Sequence, residues 1–279
     1  MGDFWYEFSK NKMAVFGLLV ISLYIVLAVL APIVAPADPY QMDSGNRLQP
    51  PGESGLMGTD HFGRDIFSRI IYGVRISFQV GIISVSIALA AGVSLGVLAG
   101  YFGGFSDSLV SRIIEVLFSF PDIILALAVM AVLGPSLTNL MIAIGIVYTP
   151  IFARITRGAV LEIKNSLFIE AARSIGVNNF MIMARHILPN VLAPIIIQTT
   201  LSLAFAILSE AALSFLGFGV SPDTPSWGIM LKDGKGWMER AWWVAVFPGL
   251  AITLAVLSFN LLGDGLRDAL DPKMSSELS

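Results

Sequence analysis

Five stretches of the chain, 13–37, 76–106, 123–153, 187–209 and 241–263, contain no Asp, Glu, Lys or Arg. Each is long enough to cross the hydrocarbon core of a bilayer as a helix, which takes about 20 mostly apolar residues. The stretch 123–153 is too long for one crossing and holds Gly134-Pro135-Ser136, a combination that ends one helix and starts another. It therefore predicts two helices. The first of these is expected to begin near Leu109, because Arg112 and Glu115 stand three apart and can pair at a membrane-facing end. The pattern thus predicts six spans, at 13–35, 77–101, 109–133, 137–157, 187–212 and 241–263. The first apolar stretch far exceeds the roughly 7 to 15 residues of a signal-peptide core, so it reads as a retained span.

Three polar segments separate the spans. The first, 38–75, opens on turn chemistry at Asp38-Pro39 and Pro50-Pro51-Gly52 and then becomes periodic. Ile66, Phe67, Ile70, Ile71 and Val74 recur at helical spacing between Arg64, Asp65, Ser68, Arg69 and Arg75, which predicts a helix lying in the interface. The second segment is 158–186; the third, 214–240, carries Pro222, Pro225 and Trp227. An even number of spans puts both termini on one side, and Lys and Arg choose which side that is. Ten lie with the termini (Lys10, Lys12, Arg112, Arg154, Arg157, Lys164, Arg173, Arg185, Arg267, Lys273) and seven opposite (Arg47, Arg64, Arg69, Arg75, Lys232, Lys235, Arg240). The count favours termini in the cytoplasm.

Composition agrees with the pattern. The chain has 279 residues, 56% hydrophobic and 13% charged, with a mean hydropathy of +0.79, too little polar surface to cover a soluble globule. The expected class is all-α: a polytopic membrane protein of six transmembrane helices. It divides into an N-terminal segment, 1–75, with the first span and its external loop, and a five-helix core, 76–279. A net charge of −3 gives no sign of a nucleic-acid partner. The absence of cysteine excludes disulfides and thiolate metal sites.

Within 158–186, Leu167, Phe168, Ala171, Ala172 and Ile175 fall on one helical face flanked by Glu170 and Arg173. Gly176 follows where a helix takes a left-handed C-terminal residue, which costs other residues about 1 kcal/mol or more. Asn178 or Asn179 can cap a second short helix, and Pro189 is placed to start the next span. The expectation is a rigid two-helix knob on the cytoplasmic side; a surface helix resting on lipid headgroups is the alternative.

Here the residues resemble the permease subunits of ABC importers, whose signature of Glu-Ala-Ala, three residues, Gly, nine residues, Ile, one residue and Leu-Pro is matched from Glu170 to Pro189. His186 stands in the Ile slot, and Arg185-His186-Ile187-Leu188-Pro189-Asn190 is similar to the dipeptide, oligopeptide and nickel branch. Gly58-Thr59-Asp60-His61-Phe62-Gly63-Arg64-Asp65, with Ser68-Arg69 and Gly73, resembles the same branch, as does Phe259 to Asp268 ending in Asp271-Pro272. The resemblance implies that the loop 158–188, through Leu167, Phe168, Glu170, Ala171, Ala172, Arg173, Gly176 and Pro189, docks in an ATPase subunit. It also implies a homologous permease, two ATPase subunits and an extracytoplasmic substrate-binding protein as partners. Peptides are the first substrate expected, with nickel, metal chelates or oligosaccharides as alternatives.

Other polar residues are candidates for substrate contact. Glu210 lies near the outer end of the fifth span, where a buried charge costs at least about 2.5 kcal/mol, and so lines the path or pairs locally. Gln198, Thr199, Thr200 and Ser202 offer hydrogen bonds to a substrate or serve as polar glue between helices. Asp122 is expected near the inner side in a helix-end role. Asp60, Arg64 and Asp65 tie the outer segment together or meet the binding protein. His61 and His186 fall on opposite sides and form no shared metal site. With no phosphate-binding loop, metal-spaced cluster or nucleophilic triad, the chain is expected to bind no cofactor of its own. ATP and Mg act on the partner ATPase subunits, as the resemblance implies. An ion-coupled transporter or channel, the rival reading, would carry more charges at its midplane.

Overall fold

The structure, a computed structural model, describes residues 2–270. The helices in chain order are α1 (Gly2–Lys10), α2 (Lys12–Val34), α3 (Ile66–Phe102), α4 (Gly104–Phe118), α5 (Asp122–Leu133), α6 (Leu137–Ile163), α7 (Leu167–Ser174), α8 (Asn179–Met181), α9 (Leu192–Leu216), α10 (Trp227–Lys235) and α11 (Trp243–Leu270). A π-helical turn, Ile182–Ile187, and a short 3-10 turn, Leu188–Val191, join α8 to α9. Helices α2, α3, α6, α9 and α11 are each long and apolar enough to cross a membrane. Helices α4 and α5 together make up to a sixth span, bent by 95° at its break. The all-α polytopic class expected from the pattern is the one observed. Asp271, Pro272 and Lys273, used above for the terminal motif and the charge count, lie outside the described residues.

Two faces result. The near face carries both described ends, α7 and α8; the far face carries the segment 35–65 and α10. In the centre, α3 packs along α6, and three glycines at a spacing of four set the distance. A Cβ at Gly96 would stand 2.6 Å from the Ala153 carbonyl oxygen, and one at Gly100 would stand 2.8 Å from Val160 Cβ. Lipid tails give apolar helices little reason to associate, so close backbone approach and the dispersion it allows hold this pair together. Phe152, Leu140 and Ile144 fill the same core. A second cluster, with Trp227, Trp243, Phe78 and Phe259, joins α2, α3, α9, α10 and α11.

Two features correct the reading of the pattern. The periodic stretch 66–75 is no separate interfacial helix but the far-face end of α3. Nothing in it breaks a helix. Asp65 caps it by accepting from Ser68 N at 2.7 Å, and the apolar side is covered by protein, with the Trp227 indole donating to the Ile70 carbonyl at 3.1 Å. The helix has 37 residues, about 55 Å at 1.5 Å per residue, well beyond the roughly 30 Å of hydrocarbon. The expected span 109–133 is also not one helix. Pro121 has no N–H to donate and disfavours helical backbone at Phe120, so the chain leaves the helix at Ser119-Phe120-Pro121 and restarts at Asp122. The expected pair of Arg112 and Glu115 forms at 3.2 Å, in the body of α4. The segment 214–240, read only from its prolines and tryptophan, contains α10, which Ser226 caps.

Candidate functional site

On the near face, α7 is anchored by Ile169 and Ala172, which are buried in the central core. The helix ends in two reciprocal bonds, Val177 N to the Ala172 carbonyl and Gly176 N to the Arg173 carbonyl, each at 3.1 Å. This closure demands left-handed backbone at Gly176, whose φ is +81°. Asn178, rather than Asn179, caps α8 and accepts from Met181 N at 2.7 Å. What faces outward is apolar: Leu167 is 84% exposed, Ile175 82% and Phe180 75%, with Phe168 also open. Glu170, Ala171 and Arg173 are exposed among them, and Pro189 lies exposed in the turn that leads to α9.

Tyr101, near the end of α3, ties this knob to the transmembrane body. Its hydroxyl donates to Asn179 Oδ1 at 2.7 Å, and the Arg173 guanidinium lies 5.6 Å from its ring centre. Nearby, Arg157 of α6 makes a two-point ion pair with Asp107 of α4, and Lys164 donates to the Gly100 carbonyl at 3.1 Å. The sequence reading missed Tyr101 and Asp107, because nothing in the linear pattern brings residues 101 and 179, or 107 and 157, together.

The far-face motif forms a buried ionic cluster. Asp60 accepts from Phe62 N at 2.8 Å, Arg64 N at 3.0 Å and Arg64 Nε at 2.6 Å. Arg64 also lies 3.6 Å from Asp233 of α10, and Arg69 donates to the Pro39 carbonyl at 2.9 Å, with its Nε 4.0 Å from Asp60. The segment 38–65, α3 and α10 are thereby joined. Asp60 and Arg64 are enclosed, and Asp65 is occupied as a helix cap. His61 stacks on Trp237. Burial holds its imidazole below the ordinary value and pushes the Asp233 carboxyl up, against the lowering effect of His61, Arg64 and Arg69.

Along α9, Gln198 donates to Ser202 Oγ at 3.0 Å, both buried, while the hydroxyls of Thr199 and Thr200 turn back onto the carbonyls of Ile195 and Ile197. Glu210 is 0% exposed. Its carboxyl oxygens accept from Ser77 of α3 at 3.0 Å, Ser214 at 2.9 Å and Ser226, the cap of α10, at 3.0 Å, which meets the need of a buried polar group for hydrogen bonds. Asp122 is not near the inner side as expected. It lines a small cavity with Tyr148 and Ser209, level with the middle of α6, because α4, 15 residues long, carries the chain from the near face to that depth before the break. His186 lies in the π-helical turn, far from His61. No group of three His, Asp or Glu side chains is placed to hold a metal among the described residues.

Residues 92–276 match the family described as binding-protein-dependent transport system inner membrane component, and residues 1–51 match the N-terminal transmembrane domain of oligopeptide transport permease C. The chain is 49% identical to a dipeptide transport system permease protein of Alkalihalophilus pseudofirmus, over 97% of its own length and 89% of that protein. It is 48% identical to a glutathione transport system permease protein of Escherichia coli, over 98% of its own length and 90% of that protein. Among solved structures, an inward-facing methionine ABC transporter shares the fold, with a TM-score of 0.59 at 20% identity over 73% of this chain and 97% of that one.

Proposed function

From the premise that the chain belongs to the family of binding-protein-dependent transport system inner membrane components, as a permease subunit of an ATP-driven ABC importer, we propose that it carries di- or oligopeptides inward across the membrane. ATP hydrolysis resides in separate subunits, and the importers of this family assemble a permease pair with ATPases and a binding protein. The peptide reading is supported by the relatives named for dipeptide, di/tripeptide and glutathione transport, which span nearly the whole chain.

The observation that carries the coupling role is the exposed apolar surface of α7 and the Gly176 turn on a rigid base. In this reading the near face is cytoplasmic and Leu167, Phe168 and Ile175 enter a cleft of the ATPase subunit, with Glu170 and Arg173 at its rim. Closure of the two ATPase subunits pushes on α7. The push reaches α9 through Pro189 and the turns before it, and reaches α3 through Tyr101. A short helix closed by reciprocal hydrogen bonds passes displacement on, whereas a loose loop absorbs it. On the far face, the cap held together by Asp60, Arg64 and Asp65 presents its outer surface to the binding protein. Gln198, Thr199 and Ser202 supply polar lining to α9 as the helices rearrange, and Glu210 makes α3, α9 and α10 move as one block.

The test is uptake by the complete complex in proteoliposomes, with peptide-loaded binding protein outside and ATP inside. ATP-dependent accumulation of a labelled dipeptide is expected. Transport by this chain without any ATPase subunit overturns the coupling reading; a complex that hydrolyses ATP but accumulates no peptide overturns the substrate.

A further inference from the structure

Helix α4 has an exposed half that divides along its length. Phe105, Leu109, Ile113 and Val116 form an apolar strip, suited to lipid or to the second permease. Beside it, Ser108, Arg112, Glu115 and Ser119 recur at intervals of three and four and are all exposed, while Val110 and Ile114 on the opposite side are buried against α3 and α6. The polar strip ends at the break, where Ser119, Phe120, Pro121 and Asp122 are all open on the surface of this chain.

Depth makes this surface unusual. Leu117 lines a cavity with Thr149 and Pro150, and Asp122 lines one with Tyr148 and Ser209. The break is therefore level with the centre of α6, about half-way through the bilayer. Backbone that leaves its helix at this depth is tolerated where it meets protein or lines water, and not against hydrocarbon. A charge there carries the same restriction, at about 2.5 kcal/mol or more. Of the three charged groups on the strip and at the break, Arg112 and Glu115 answer each other. Asp122 accepts no hydrogen bond and has no ion-pair partner among the described residues, and the nearby Tyr148 hydroxyl is already paired with Ser209 at 2.9 Å.

We propose that the polar strip of α4 and the break at Ser119–Asp122 line the translocation path, and that Asp122 is an anionic subsite that receives the cationic α-amino group of a passing peptide at mid-membrane. The lining is argued from the depth of the break and the polarity of a strip that no part of this chain covers, and the identity of the cation rests on the peptide reading above. A carboxylate left unpaired in a narrow aqueous passage draws the cationic end of a zwitterion toward it and repels carboxylate-first entry, so it sets the order in which the two ends of the peptide pass.

The chain contains no cysteine, so single cysteines can be read without a background from it. In the assembled complex, with the partner subunits free of reactive cysteines, Ser119→Cys is treated with membrane-impermeant thiol reagents, one cationic and one anionic, in nucleotide-free and ATP-bound states. Labelling in at least one state is expected, with the cationic reagent reacting about tenfold faster, and adding Asp122→Asn is expected to abolish that preference. No labelling in any state overturns the lining. Equal rates for the two reagents, or a preference that survives Asp122→Asn, overturn the subsite. In uptake assays at saturating binding protein, Asp122→Asn is expected to slow dipeptide accumulation about tenfold while Asp122→Glu retains most of it; unchanged accumulation in Asp122→Asn overturns the role in passage. If the unmodified complex takes up no dipeptide, the peptide reading falls and the charge preference in labelling still decides whether Asp122 acts on cations.

Discussion

Replacing Gly176 by valine tests whether rigidity of the near-face knob is what couples it. A Cβ at Gly176 meets no atom within 4 Å, so the substitution enters open space and its cost is chiefly conformational. Left-handed backbone costs an L residue about 1–2 kcal/mol, and a β-branched side chain lies at or above the top of that range. If the turn relaxes instead, the two closing bonds at 3.1 Å are lost, at about 1 kcal/mol each. Either route shifts the balance toward a frayed α7 by about 2 kcal/mol, a factor of about 30. An eight-residue helix has no reserve of its own to absorb this. The transmembrane body does not depend on the turn, so the Gly176→Val complex is expected to assemble and keep its melting temperature. Peptide uptake is expected to fall at least tenfold, together with the stimulation of ATP hydrolysis by loaded binding protein. Gly176→Asn, which tolerates left-handed backbone better, should fall between the two. Normal stimulated hydrolysis and normal uptake by Gly176→Val would refute the reasoning.

Asp60→Ala leaves Arg64 and Arg69 buried without their shared partner, a loss of about 3–5 kcal/mol. The complex in detergent is expected to melt several degrees lower, with Asp60→Asn less affected; an unchanged melting temperature for Asp60→Ala would show that the cluster does not hold the cap. His61, whose folded value lies below the unfolded one of 6.5 because of burial, contributes stability that is complete above about pH 6.5 and lost as pH falls through the folded value. Asp233, raised by burial, acts oppositely, favouring the folded state at low pH and losing that contribution as pH rises through its folded value. Comparing His61→Gln with the unmodified chain isolates the histidine: the variant's melting temperature should fall less between pH 7 and pH 5, and identical profiles would exclude the effect. Gly96→Ala forces a Cβ to within 2.6 Å of the Ala153 carbonyl, an overpacking cost of about 1–3 kcal/mol. It should lower the melting temperature, whereas Gly158→Ala, which meets nothing within 4 Å, serves as the neutral control.

Several elements were legible in the order of residues because their causes are local. Uncharged runs of span length require a membrane, since no other solvent accepts them. Gly176 announced a left-handed turn because the glycine follows one amphipathic face directly, and the Asn178-Asn179 pair announced a cap for the same kind of reason, without saying which of the two supplies it. The bend inside the third span was not read, although its cause, Pro121, is local; its size, 95°, depends besides on how α4 and α5 each pack against α6. The stretch 66–75 misled because an amphipathic pattern looks the same whether lipid or protein covers its apolar side, and here Trp227 and its neighbours cover it.

The charged side chains divide the same way. Asp60, Arg64 and Asp65 stood out by type and spacing, but whether they face a partner or each other is decided by the fold, which brings Asp233 beside them from far along the chain. For Glu210 the sequence left path lining and local pairing both open, because it does not place Ser77 and Ser226 around the carboxyl. By itself, then, the sequence determined that the chain crosses a membrane with helices and carries a short rigid knob between two of them, since hydropathy and glycine backbone preference act over a few neighbouring residues. Only the tertiary structure decided which polar groups are satisfied inside and which, like Asp122, remain open at membrane depth, because the burial and pairing of a charge depend on groups that folding brings from distant parts of the chain.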